Sequence, residues 1–508
     1  MYDNYKIEKK NYTINEICNP KQFELQPQQK FLPEYIFNNL NKINGLLIFH
    51  NIGSGKTCTA IQISEKMKHI KKIMCVLPAS LIGNFVNELL SDCGQYKNMD
   101  DINKYYTIYS HNIFVKKINK REFDLNNTLL IIDEIQNMIS EDGVFYDTLK
   151  THINISDTTL KLIMLSGTPI FDNPLEIALT LNLLRPPKLL PVGEEFTKTF
   201  FRKKQTSTGS IVYEFINQEL FIDLTRGLIS YYRGAPPIAY PKLKLQTISC
   251  EMSDLQFEAY KLTVKKKKPK QIINNSFDLP NNFYIKSRMV SNIIYPEGYD
   301  EYTILNDIKM YSTKFYKLIS NLSNNKIFIY SNFILAGLKP IQLLLELNGY
   351  KNFIIHGPGN KRFCIWSGEE SKEIKEKIKL EFNKKENTYG ELIQIFLGSP
   401  AAKEGITLKS VKEVHIMEPY WNLSRIKQIV GRAVRHCVHI DLPENERKVN
   451  VYIYISNHID EYIWNLAKNK QSLIKSFENI IKENAIDCDI FINRNYYETD
   501  NHKLTCIN

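Results

Sequence analysis

The chain has 508 residues, a formal charge of +11, 43% hydrophobic and 24% charged residues. That length is too great for one core, so two or three domains are expected, with the composition of a soluble globular protein. No apolar run approaches membrane-spanning length, the opening MYDNYKIEKKNYT lacks a signal-peptide core, and no membrane partner is expected. The positive charge invites an anionic partner such as nucleic acid, although a composition rich in Lys, Asn, Ile and Tyr raises the charge equally well through AT-rich coding.

The first 235 residues alternate short apolar runs with helical patterns. Strands are predicted at 45–49, 71–77, 105–110, 128–133 and 160–166, each a continuous Ile/Leu/Val-rich run suited to burial on both faces. Spaced this way, they read as βαβ units and a parallel sheet. After residue 195 the pattern turns helical and basic, and GAPPIAYPK, 234–242, marks a domain boundary with three prolines and a glycine. A second α/β series follows, with strands predicted at 326–331, 352–357, 391–399, 411–417 and 448–456. Helices are predicted over 337–350 and 371–385. Residues 261–325 are less regular and open on the lysines 265–268, read as a solvated loop or a phosphate contact. The nine cysteines include no C-x-x-C pair, so reduced thiols are expected. His436-Cys437-Val438-His439 lacks the second ligand pair that a zinc site would need.

Three segments carry chemistry. HNIGSGKT, 50–57, follows an apolar strand and opens a helical pattern, the setting of a phosphate-binding loop. Asn51, Ile52, Gly53, Ser54 and Gly55 would line that loop, with the two glycines turning successive N–H groups inward. Lys56 would reach the β and γ phosphates of ATP and Thr57 would ligate Mg²⁺. LLIIDEIQ, 129–136, ends a strand in two acids: Asp133 would hold Mg²⁺ and Glu134 would deprotonate the attacking water. QIVGRAVR, 428–435, places Arg432 and Arg435 on one helical face as arginine fingers reaching ATP from the second domain.

In this order the segments resemble the motifs of superfamily 2 helicases and translocases. Gln29 matches the adenine-reading Q element, and 50–57 matches motif I, where a non-glycine first position is usual. LPASLIGNF (77–85) resembles motif Ia, DEIQ motif II, SGTPI (166–170) motif III and KIFIYSNF (326–333) motif IV. GSPAAKEGITL (398–408) resembles motif V and QIVGRAVR motif VI, which adds Gly405 and Gln428 to the nucleotide set. By the same resemblance Ser80, Ser110, Ser331 and Thr407 face nucleic acid. SGTPI followed by N-P-x-E (173–176) looks like the Swi/Snf-type group. Segments 227–237, 418–439, 446–454 and 482–490 resemble the helicase-like ATPases of large cytoplasmic DNA viruses, the group of poxvirus nucleoside triphosphate phosphohydrolase I and the early transcription factor small subunit.

The resemblance implies an α/β fold of two tandem RecA-like domains, 1–235 and 236–490, with an insertion at 261–325, a helical C-terminal segment and a tail at 491–508. It implies an ATP- and Mg²⁺-dependent enzyme acting on nucleic acid, most readily double-stranded DNA. A viral RNA polymerase or transcription factor subunit is the implied partner, in the virion or host cytoplasm. A strand-separating RNA or DNA helicase, and a DNA-binding transcription subunit with weak ATPase, stay open beside it. Two departures bear on coupling: Ala402-Lys403-Glu404 where Swi/Snf proteins have small residues, and Gln136 where many relatives have histidine.

Overall fold

The computed structural model describes residues 2–9, 12–205, 211–265, 284–298, 301–403, 406–498, 500 and 502–507. The chain divides into two compact units, Met1–Pro237 with Gln471–Asn508, and Ile238–Lys470. Residues 471–490, expected in the second domain, and the 491–508 tail therefore belong with the first unit. The long helix Ile459–Glu483 begins in one unit and ends in the other.

The first unit is built on strands β1 (Gly45–His50), β2 (Lys72–Leu77), β3 (Tyr106–Ser110), β4 (Thr128–Ile132), β5 (Lys161–Ser166) and β8 (Ile229–Tyr232). They form one parallel sheet in the order β3-β2-β4-β5-β1-β8. β1, β4 and β5 are buried at every position, as sheets covered on both faces require. Register is set by pairs such as Leu47 against Met164 on one side and Ile229 on the other. β1, β5 and β4 are neighbours or next-neighbours, so their C-terminal ends bring three motif segments to one edge of the sheet.

Where the sequence predicts helix after residue 195, the chain forms helices Gly193–Phe200 and Gln218–Thr225 and, between them, an antiparallel pair, β6 (Phe201–Gln205) and β7 (Ile211–Phe215). The reason is local: β-branched and aromatic residues crowd IVYEF, and a Ser/Thr/Gly stretch separates the two runs. Phe215 stacks on Phe477 at 3.7 Å, and Phe196, Phe200 and Phe221 complete the cluster. That aromatic contact anchors the late helix to the first unit.

The second unit carries β9 (Lys242–Cys250), β10 (Ile327–Tyr330), β11 (Lys351–Asn352), β12 (Arg362–Trp366), β13 (Ile395–Gly398), β14 (Glu413–Ile416) and β15 (Lys448–Ser456). These also form one parallel sheet, β11-β12-β13-β10-β14-β15-β9. The strand predicted at 352–357 is replaced by β11 and a short helix, Phe353–His356, and the buried strand is β12 instead. Asn352 caps that helix by accepting from Ile354 N, a local bond that competes with a strand ladder. The predicted helices appear as Lys339–Leu347 and Lys372–Phe382. The irregular region contains helices Ile285–Asn292, Glu301–Asn306, Ile308–Tyr311 and Thr313–Asn321. Lys265 closes the helix Asp254–Lys265, and the lysines that follow it lie outside the described residues.

Disulfides replace expected thiols, among them Cys58–Cys93 and Cys488–Cys506, with Cα atoms 5.9 and 5.6 Å apart. The partners stand 35 and 18 residues apart in sequence, so adjacent-cysteine spacing could not reveal them. Cys75, Cys250 and Cys364 are free and buried.

Candidate active site

In the first unit, β1 delivers His50 and the loop turns into the helix Lys56–Met67. Gly53 and Gly55 adopt φ of 81° and 80°, a left-handed conformation that favours glycine. A Cβ on Gly55 would stand only 2.5 Å from Gln29 Nε2. Gln29 donates to the Gly55 carbonyl at 3.2 Å and accepts from Gln26 N at 2.7 Å. Its amide is thus engaged with the loop itself. Gln28, which the sequence reading passed over, donates to the Ser54 carbonyl at 2.9 Å. Two neighbouring glutamines hold consecutive carbonyls of one loop.

Lys56 Nζ donates to the carbonyls of His50 at 2.9 Å and Asn51 at 3.4 Å. A Cβ on Gly167 would lie 3.2 Å from that ammonium, which places the SGTPI turn against the phosphate loop. Thr57 is half-buried beside it. Thr57 offers a hydroxyl and Asp133 a carboxylate, the hard oxygen donors that Mg²⁺ takes.

Asp133 extends the β4 ladder by donating its N–H to Val76 O at 2.9 Å, and its carboxylate accepts from Glu134 N at 2.9 Å. The buried His111 lies with Nε2 3.0 Å from the Asp133 carbonyl; burial lowers its pKa, outweighing that bond. Glu134 has φ 49° and ψ 50°, an uncommon conformation for a residue with a side chain and one found at functional turns. Gln136 then bridges two motifs. Its Nε2 donates to the Glu134 carboxylate, while its Oε1 accepts from Ser166 Oγ at 2.7 Å. Ser166 Oγ also accepts from Thr168 N at 3.0 Å. The amide supplies one donor and one acceptor, so the departure from histidine still joins motifs II and III. Further on, Glu176 of N-P-x-E accepts from the backbone N–H of Phe171, Asp172 and Asn173. Burial is the larger influence on this carboxyl and raises it to about 8.

The second unit holds Gln428, Arg432 and Arg435, but not on one helix. The helix Leu423–Val430 ends before both arginines, so the single-face expectation is corrected. Gly431 begins the turn that carries Arg432 N to the Ile429 carbonyl at 3.1 Å. Arg432 is 8% exposed and donates to the carbonyls of Gln428 at 3.2 Å and Ile406 at 3.3 Å. Arg435 is half-buried and donates to Thr407 Oγ1 at 2.7 Å. Gln428 is half-buried, and Gly405 lies outside the described residues.

Of the four hydroxyls assigned to nucleic acid, Ser80 is exposed. Ser110 is buried and caps a helix by accepting from Ile113 N at 3.4 Å. Ser331 has no exposed surface and donates to Glu418 at 2.6 Å. Thr407 serves Arg435. The buried Glu418 also accepts from Asn292 Nδ2 and, at 2.8 Å, from Asn332 N. The sequence offered no signal for this network beyond an acid after an apolar strand.

Two parallel-sheet units, one with a glycine loop, lysine and acid pair at its strand ends, define a helicase-type ATPase with a RecA-like fold. The SNF2-related domain profile matches residues 28–294, and the helicase conserved C-terminal domain matches 311–437. The chain is 44% identical to a protein of Acanthamoeba polyphaga mimivirus named as an ATP-dependent RNA helicase, across 98% of this chain and 94% of that one. It is 25% identical to the termination factor NPH-I homolog of African swine fever virus, across 90% of this chain and 78% of that one. A solved Sulfolobus solfataricus SWI2/SNF2 ATPase core in complex with dsDNA aligns over 94% of this chain and 97% of that one, at 18% identity and a TM-score of 0.35. The chain belongs to the SNF2-related helicase family. It is a nucleic-acid-stimulated ATP hydrolase, and no described helix is long and apolar enough to cross a membrane.

Proposed function

We propose that the protein is an ATP-driven translocase on duplex DNA that serves viral transcription, in the virion or the host cytoplasm. The observation that carries the reading is the Glu134–Gln136–Ser166 chain, which ties the proposed base to the motif III turn. A change at the γ-phosphate is felt by Glu134 and passed through Gln136 to Ser166 and Thr168. In the proposed cycle Lys56 leaves its carbonyls for the phosphates. Glu134 takes a proton from water, whose oxygen bonds to the γ-phosphorus as the bond to the β–γ bridging oxygen breaks. Arg432 and Arg435 stabilise the charge on the transferred group, with Arg435 the more available of the two. Mg²⁺ held by Thr57 and Asp133 would neutralise phosphate charge.

Membership of the SNF2-related family and the net charge of +11 support duplex DNA as the track. The relative named as a termination factor supports a role in transcription, with a viral polymerase or one of its factor subunits as partner. A second reading, an RNA helicase, has the mimivirus relative's name in its favour. The test compares ATPase rates with duplex DNA, single-stranded DNA and RNA, and assays ATP-driven displacement of a third strand from duplex DNA. Greatest stimulation by duplex, with third-strand displacement and little fork unwinding, is the expected result. Greatest stimulation by RNA with efficient unwinding would replace the first reading with the second. Prying a duplex apart takes an aromatic or apolar wedge; of the aromatic residues in the irregular region, Phe277 and Phe283 lie outside the described residues, and Tyr284 packs edge-on to Tyr462.

A further inference from the structure

The segment KENAIDCDI, 482–490, carries polar chemistry that hydrolysis does not use. Within the first unit it lies along β8. Ile486 N donates to the Ile229 carbonyl at 2.9 Å. Asn484 Nδ2 donates to the Ile222 carbonyl at 2.8 Å and to Thr225 Oγ1 at 2.9 Å. Asp487 follows, with no exposed surface, and accepts from Tyr231 N at 2.9 Å and Ser230 Oγ at 2.5 Å. Ser230 Oγ lies 3.0 Å from His50 Nε2, and both residues are also fully buried.

The proton positions follow from counting. With Asp487 ionised, above about pH 7, the one proton of the serine hydroxyl goes to its carboxylate, so the bond to His50 needs a proton on Nε2. Burial, followed by the nearby Lys56 charge, keeps the imidazole neutral. Its single ring proton therefore sits on Nε2, and Nδ1 is left as an acceptor with no partner among the described residues. The chain has a direction: His50 donates to Ser230, and Ser230 donates to Asp487.

The relay ends on the residue that matters for the loop. The His50 carbonyl accepts from Lys56, and the next residue's N–H, that of Asn51, donates to the Tyr232 carbonyl at 3.1 Å. β8 thus grips the start of the phosphate loop by a side chain at one residue and by backbone at the next. We propose that Asp487, Ser230 and His50 form a positioning relay through which the C-terminal segment sets the phosphate loop for nucleotide. It rests on the reading of 50–57 as the ATP site. Histidine at the position where the loop pattern has glycine then has a purpose, since glycine could not reach Ser230.

The test uses the full chain at saturating nucleic acid, with Ser230→Ala, Ser230→Thr and Asp487→Asn. Ser230→Ala breaks the relay at its centre and should raise the KM for ATP about tenfold, the scale of a lost buried hydrogen bond, with kcat little changed. Ser230→Thr should restore KM. Asp487→Asn provides an independent readout. Tyr231 N must face the new amide oxygen, so the new NH₂ faces Ser230 and reverses the chain. At a pH well above 7, where Asp487 of the unaltered protein is ionised, the His50 proton should then move from Nε2 to Nδ1, seen by NMR of ¹⁵N-histidine-labelled protein. An unchanged KM in folded Ser230→Ala, failure of threonine to rescue, or an unmoved proton in Asp487→Asn would overturn the relay. Lys56→Ala with undiminished hydrolysis would instead overturn the ATP-site reading itself.

Discussion

The strand ends of the two units treat their polar groups differently. In the first unit Lys56, Thr57 and Glu134 are half-buried, and the bonds of Lys56 and Glu134 can be exchanged for bonds to a ligand. In the second, Ser331, Glu418 and Arg432 are buried and bonded to internal carbonyls, amides, hydroxyls and a carboxylate. Arg435 alone of that group stands half-buried on a single hydroxyl. A motif residue can therefore carry chemistry or hold up its neighbours, and burial with its partners tells which.

The largest expected effect separates the two arginines. Arg435→Ala should bind nucleotide and keep its melting temperature, yet lose on the order of 10³-fold or more in turnover, the size of an arginine-finger effect. Arg432→Ala should lower the melting temperature as well as turnover, because it also strips donors from the Gln428 and Ile406 carbonyls. Equal behaviour of the two variants in calorimetry and ATPase assays would erase the distinction.

Glu134→Gln should bind ATP and hydrolyse it ~10²- to 10⁴-fold more slowly, because the phosphate cradle survives while the base is lost. Gln136→Leu, which keeps the base and cuts its link to Ser166, should retain basal hydrolysis better than its stimulation by nucleic acid. Loss of both in equal measure would show that Gln136 merely orients Glu134.

A third contrast concerns stability alone. Glu418→Ala removes the buried acceptor shared by Asn292, Ser331 and Asn332 and should cost about 2–5 kcal/mol, read from denaturant unfolding of the full chain. Ser80→Ala, at an exposed position, should change stability by less than about 0.5 kcal/mol.

The remaining effects should appear with pH, and with opposite sign in the two units. Burial raises Asp487 to about 7 in the first unit, so its folded form holds the proton more tightly than the unfolded chain. The stability it contributes is present below its usual 3.8 and is lost as pH rises through about 7. Burial lowers Lys326 of the second unit from 10.5 to about 7, so its contribution is present above 10.5 and is lost as pH falls through about 7. Asp487→Asn should flatten the melting temperature between pH 4 and 7, and Lys326→Met between pH 7 and 10; unaltered pH profiles would refute the assignments.

Much of this protein was determined locally. Unbroken Ile/Leu/Val runs such as LLII and KLIMLS read as strands buried on both faces, and alternation with helices makes their sheet parallel. The glycines at 53 and 55, the lysine after them and the acid pair at 133–134 needed only neighbours in sequence to be placed on strand ends. Tertiary structure decided what depends on distant partners. Phe477 joins the phenylalanines of 196–221, and Asp487 meets Ser230 and His50 across 257 and then 180 residues. The cysteines at 58 and 93, and at 488 and 506, pair through the fold. Which carbonyls and hydroxyls bond Arg432 and Arg435 was likewise a matter of packing. Local pattern encodes the period of burial along a chain, but the partner that satisfies a buried polar atom is set by packing.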